Sequence, residues 1–168
     1  MSNKALYVLA GYDNKTEAYL SSLQNRLYED GFTGTQTKNI PMHITLGSFP
    51  TDKESELTDC LKNISKDLSA FDITFNHIGI FSGGKVLFVA PDANYNLLDL
   101  KLKFGDIYGW APHTTIIIDS PDVIYQALPI VMKDFNSFSG KVTSLHLYEF
   151  FPTRHILSVN LKTDISEQ

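Results

Sequence analysis

The chain has 168 residues, enough for one compact domain or for two small lobes that share a core. Its 43% hydrophobic and 20% charged residues are ordinary for a globular protein and exclude disordered and collagen-like classes. The net charge of -5 argues against a duplex nucleic acid partner, which needs a basic face, but leaves room for a small phosphate-bearing ligand.

Ala5 to Ala10 is an apolar run rich in strand formers, closed by Gly11, and predicts a strand. Asp13 or Asn14 can cap the helix that follows. Its Leu20, Leu23 and Leu27 share one face, and Gly31 ends it. Met42 to Ser48 reads as a second strand, stopped by Pro50. Asp52 is a suitable N-cap for a helix that carries Leu57, Leu61, Ile64 and Leu68 on one face. The single cysteine, Cys60, falls on an apolar face and reads as a small buried hydrophobe; alone, it forms no intrachain disulfide.

Phe71 to Phe81 alternates as a strand does. Ser82-Gly83-Gly84 marks a hairpin turn, and Lys85 to Ala90 is the return strand. A helix is expected from about Ala93 to Phe104, then a strand from His113 to Ile118. Ser120-Pro121 opens a helix with proline in its first position. Strands near Val142 to Phe151 and His155 to Lys162 close the chain. The order is β-α-β-α-β-β-α-β-α-β-β, two similar series meeting near residues 83–91 within a single domain over 1–168. The segment MSNKALYVLAGYDNKT has too short an apolar run for a signal peptide, and no stretch approaches a membrane span, so a cytoplasmic protein without a membrane partner is expected.

Each series supplies one His-x-Thr strand, His43-Ile44-Thr45 and His113-Thr114-Thr115, each with a proline just before it. Residues i and i+2 of a strand share a face, so His43 projects with Thr45 and His113 with Thr115. Ile44 and Thr114 then point the other way. Imidazole titrates near pH ~6.5, so one ring can accept a proton from an attacking oxygen while the other donates to a leaving oxygen. Threonine hydroxyls can donate to non-bridging oxygens as charge shifts. One such tripeptide is weak evidence; two in corresponding places point to metal-independent acid/base chemistry on a phosphoester. His77, His146 and His155 read as packed or surface histidines. No zinc spacing and no phosphate loop is present. Lys38, Lys85 and Arg154 are candidate phosphate-holding cations, though surface charges first. Tyr12, Tyr148 and Phe49 are candidate base-stacking aromatics, though packing residues first.

Around Pro41-Met42-His43-Ile44-Thr45-Leu46 and Pro112-His113-Thr114-Thr115-Ile116 the sequence resembles the two-histidine phosphoesterase superfamily, and within it the bacterial 2'-5' RNA ligase-like (LigT-like) proteins. Ile78-Gly79-Ile80-Phe81 fits the run between the motifs. The resemblance spans about Ala5 to Leu161. It departs at Thr114, where the family more often has an apolar residue. It implies an α+β, bilobal, pseudo-symmetric fold of two largely antiparallel sheets around a cleft, with helices outside. It also implies hydrolysis of a 2',3'-cyclic phosphate on a nucleotide or RNA end, or ligation and cleavage of a 2'-5' linkage. His43 and His113 would be the acid and base, Thr45 and Thr115 the phosphate-binding donors, with no metal or cofactor. The alternative is a non-catalytic nucleotide or RNA-end binding module on the same scaffold. A monomer is expected.

Overall fold

A computed structural model describes residues 4–163, so both ends of the 1–168 domain expectation lie outside the described residues. The expected order of elements is present: β1 Ala5–Tyr12, α1 Asn14–Glu29, β2 His43–Phe49, α2 Glu54–Asp67, β3 Phe71–Ile80, β4 Val86–Pro91, α3 Tyr95–Leu102, β5 Thr114–Ile118, α4 Pro121–Asp134, β6 Phe138–Phe150 and β7 Arg154–Asn160. Local chemistry explains most boundaries. The Asp13 carboxylate accepts from the Thr16 N–H at 2.9 Å and starts α1. Asn94 does the same for Leu97 at 3.1 Å and starts α3 later than the apolar pattern suggested. Asp52 does not cap α2. Thr51–Lys53 forms a 3-10 turn instead, with the Lys53 N–H bonded to the Pro50 carbonyl at 3.1 Å.

The fold is α+β, and its strands form one open, antiparallel sheet among the described residues. The order is β2-β1-β6-β3-β4-β5, with β7 also on β6. The two expected sheets are therefore continuous through one long strand. Residues Val142–Phe150 of β6 pair with β1, and Ser144–Glu149 pair with β7 on the other edge. Residues Phe138–Val142 pair with β3. One lobe is thus β2, β1, the C-terminal part of β6 and β7; the other is β5, β4, β3 and the N-terminal part of β6. Where one ladder gives way to the next, Thr143 is an extra residue opposite β1. Such a bulge bends and twists its strand, and here it turns the two halves of the sheet toward each other.

One face of the sheet holds the main core. Leu6, Val8 and Ala10 of β1, Ile44 and Leu46 of β2, Ile73 and Phe75 of β3, and Leu87 and Val89 of β4 are buried there with Leu20, Leu23 and Leu27 of α1. Each large side chain so buried contributes roughly 1.5–3 kcal/mol. The opposite face carries a smaller cluster of Leu9, Tyr148 and Phe150, flanked by Tyr7 and Ile40. That face lines the cleft.

The helices exchange partners between lobes. α1 packs on β5 as well as β1, and α3 packs on β2. The free edges of the outer strands are capped in the same crossed manner. The Gln24 amide donates to the Ile116 carbonyl at 2.8 Å, and the Thr35 N–H to the Ile118 carbonyl at 2.7 Å. The Trp110 indole donates to the Thr45 carbonyl at 3.0 Å. Strand edges covered in this way offer no template to another chain.

Candidate active site

β2 and β5 are the two ends of the strand order, yet the cleft brings them side by side. They carry the two His-x-Thr motifs. His43 opens β2, and His113 stands one residue ahead of β5. Both strands contain a bulge three residues after the histidine: Leu46 is the extra residue opposite β1, and Ile116 the extra residue opposite β4. Bulges beside functional side chains re-aim them. Here each bulge lies just beyond its threonine, so His43 with Thr45 and His113 with Thr115 keep the shared face that strand parity predicts.

The two imidazoles are held alike. His43 Nδ1 lies 2.7 Å from the Pro41 carbonyl, and His113 Nδ1 lies 2.7 Å from the Ala111 carbonyl. A carbonyl only accepts, so each Nδ1 carries the hydrogen. Nε2 is left as the free nitrogen of each ring. In a neutral ring it is a base; in a protonated ring it is an acid. Burial pushes both histidines below the ordinary imidazole value, against the pull of these carbonyl bonds. The charge of His113 lowers His43 further. Double protonation is therefore disfavoured. The His113 ring is also wedged edge-on against Phe81, with centroids 4.6 Å apart, and beside Phe88 at 5.3 Å. The tip of the Phe88 ring covers Gly79, where a Cβ would collide with it.

Around these rings the cleft has two arms. The first, a cavity of about 250 Å³, is walled by His43, Thr45, Thr115, Ile40 and Phe150. The second, about 430 Å³, is walled by His113, Thr45, Phe81, Lys101 and Trp110. Thr45 and Tyr7 belong to both. The hydroxyls of Thr45 and Thr115 make no hydrogen bond among the described residues and stay available to a ligand. Among those residues no three His, Cys, Asp or Glu side chains cluster in a way that could hold a metal ion.

The secondary candidates fall outside this centre. Arg154 is committed to Glu54 at 2.6 Å and Glu149 at 3.2 Å. Lys38 sits over the Tyr28 ring, and Lys85 is exposed on the hairpin; neither lines an arm. Tyr12 is buried rather than available to a base, while Phe49 and Tyr148 pack on the sheet. His77 is exposed beside Asp92. Cys60 is half-buried against the core, which raises its thiol. No helix among the described residues is long and apolar enough to cross a membrane.

Three features escaped the sequence reading. The Thr114 hydroxyl, fully buried, donates to the His43 carbonyl at 3.0 Å and so can only accept from Tyr12 OH, 2.5 Å away. Burial holds the Tyr12 phenol in its neutral form. A core-facing hydroxyl in place of an apolar residue was the available signal, since such a group needs a partner. His146 lies on the cleft face with Ser144, over Gly11, where a Cβ would collide with both. Gly11 is the cross-strand partner of His43. Burial, then the charges of His43 and His155, push His146 down to about 4. Lys101 is the third, a buried lysine on the wall of the second arm.

The family model described as the 2'-5' RNA ligase superfamily matches residues 12–150. No curated protein sequence matches the chain significantly. Among solved structures, apo E. coli LigT superposes with a TM-score of 0.62 at 16% identity, over 95% of this chain and 98% of that one. E. coli LigT complexed with 3'-AMP gives 0.60 at 16% identity, over 96% and 99%. TT0787 of Thermus thermophilus gives 0.58 at 12% identity, over 95% and 99%. At such identities these likenesses establish the fold.

Proposed function

From the premise that the chain belongs to the 2'-5' RNA ligase superfamily, we propose that it is a metal-independent phosphoesterase that opens 2',3'-cyclic phosphates on nucleotides or RNA ends. The observation that carries the reading is the matched pair of imidazoles. Each donates Nδ1–H to the carbonyl two residues before it and keeps Nε2 free in one cleft. E. coli LigT has been solved with phosphate and with 3'-AMP, and a nucleotide suits the cleft of this chain too.

In the hydrolytic direction we assign the base to His43, the more buried of the two rings: it takes a proton from water through Nε2 as the water oxygen attacks phosphorus. His113 gives its Nε2 proton to the ribose oxygen as the P–O bond to that oxygen breaks. The product is a phosphomonoester, and the proton has passed from one ring to the other. Thr45 and Thr115 donate to the non-bridging oxygens, whose charge rises in the transition state. With a 5'-hydroxyl in place of water as the attacking group and the 3'-oxygen as the leaving one, the same exchange joins that hydroxyl to the cyclic phosphate in a 2'-5' linkage, and its reverse cleaves such a linkage back to the cyclic phosphate. The cytoplasm supplies both RNA ends and nucleotides and is the proposed location; a monomer suffices, since one chain carries both motifs.

The test is turnover of 2',3'-cyclic AMP by the purified chain and by His43→Ala and His113→Ala. Each change is expected to lower turnover by at least about 10²-fold. Wild-type rates in either variant, or no turnover of cyclic nucleotides and 2'-5' dinucleotides by the unaltered chain, overturn the proposal.

A further inference from the structure

Lys101 is 7% exposed, on the inner side of α3, and it walls the second arm of the cleft. Its ammonium lies 5.8 Å from the centre of the Trp110 ring. It makes no hydrogen bond and no ion pair among the described residues. Among the described residues no buried side-chain nitrogen or oxygen lacks a partner, so this unpaired nitrogen keeps some exposure. Asp106, the one carboxylate lining the arm among the described residues, is exposed, and its Oδ1 accepts the Tyr108 N–H at 3.0 Å. It stands beyond ion-pair distance of Lys101. The buried stem of Lys101 thus leaves its ammonium unpaired at the wall of the arm.

We infer that the second arm is an anion subsite, with Lys101 as its cation, for a second phosphate group of the substrate. The arm shares Thr45 and His113 with the reaction centre, so a ligand whose scissile phosphate lies at the two motifs extends directly into it. Trp110 and Tyr108 flank the same space, and Tyr108 is 91% exposed, so a ribose or base linking the two phosphates meets aromatic surface. The substrate class is therefore a phosphoester that carries a further phosphate one nucleoside away, as at an oligonucleotide end, in preference to a lone cyclic mononucleotide. This inference rests on the phosphoesterase reading for the position of the first phosphate.

Binding calorimetry tests it without turnover. The chain is titrated with adenosine 3'-monophosphate, adenosine 3',5'-bisphosphate and inorganic phosphate, then again as Lys101→Met and Lys101→Arg. The bisphosphate is expected to bind the unaltered chain at least about tenfold more tightly than the monophosphate, the scale of one charge-assisted hydrogen bond. That preference is expected to vanish in Lys101→Met and to persist in Lys101→Arg. Equal affinities in the unaltered chain overturn the subsite whatever the variants do, and so does a preference that survives in Lys101→Met. Inorganic phosphate binding as tightly as the bisphosphate would show an isolated anion site and also overturn the two-phosphate substrate. If no nucleotide binds, the phosphoesterase reading falls as well, which separates the two failures.

Discussion

Thr114 ties the strand of one histidine to the backbone of the other: its hydroxyl donates to the His43 carbonyl at 3.0 Å, and it directly follows His113. Tyr12 completes the bridge from β1. Thr114→Val should leave the His43 carbonyl and the Tyr12 hydroxyl unpaired in a buried place, at a cost of about 1–3 kcal/mol in denaturant titration. Because the bridge ties the two histidine strands together where they meet, kcat on a 2',3'-cyclic nucleotide should fall roughly tenfold with a smaller change in KM. Thr114→Ser should recover most of both. An unchanged kcat in Thr114→Val would disconnect the bridge from the chemistry.

Thr45→Val and Thr115→Val each remove one free hydroxyl while keeping the shape of the side chain. Neither hydroxyl has a partner among the described residues, so thermal stability should barely move. Turnover should drop by about 10²-fold, the usual cost of losing one donor to a developing charge. A loss confined to KM would mean that these hydroxyls bind ground state and transition state alike.

The pH dependence of kcat/KM follows from both rings lying below the ordinary imidazole value. The working state needs one ring protonated and one neutral. As pH falls, His43 gains a proton and the base is lost; as pH rises, His113 releases its proton and the acid is lost. The profile for the free enzyme should be a bell with its maximum on the acidic side of neutrality, below pH ~6.5. A maximum near pH ~8 contradicts the assignment.

Much of this was legible in sequence because it is written in short-range pattern. The alternation of β3, the leucines of α1 and the Gly83-Gly84 turn all report local geometry, and together they fix the element order. Strand parity likewise placed His43 with Thr45 and His113 with Thr115. What stayed hidden depends on contacts far along the chain. The first residues of β6, Phe138-Ser139-Gly140-Lys141, look like a loop, and only pairing with β3 makes them a strand. The capping role of Asp52 was lost to a 3-10 turn that no residue preference announces. Nothing in the helical pattern singles out Lys101, whose place beside Trp110 depends on a residue nine positions further on.

His146 supplies a separate handle on pH. Its neighbours are Ser144, Ser158, His43 and His155; its two nitrogens meet the Ser144 hydroxyl at 3.1 Å and the Ser158 hydroxyl at 2.6 Å. With its value pushed down to about 4, the folded protein holds this ring neutral where the unfolded chain protonates it. Its contribution is intact above pH ~6.5 and drains away as pH falls toward about 4. His146→Gln should flatten stability between those limits, measured by urea titration at a series of pH values. An identical slope in the variant would assign the acid sensitivity to other groups.

The strand shared by both lobes decides where this protein can accept changes in length. The distance between the two motifs is fixed by the ladders on either side of Thr143, not by a connecting segment. One residue added within β6 would turn every later side chain of that strand to the opposite face and carry Tyr148 and Phe150 off the cleft wall. The exposed turn at Ser82-Gly83 lies outside those ladders, so insertions there leave the register that sets both imidazoles untouched. Relatives and engineered forms of this chain should therefore differ in loop length freely and in the length of β6 hardly at all.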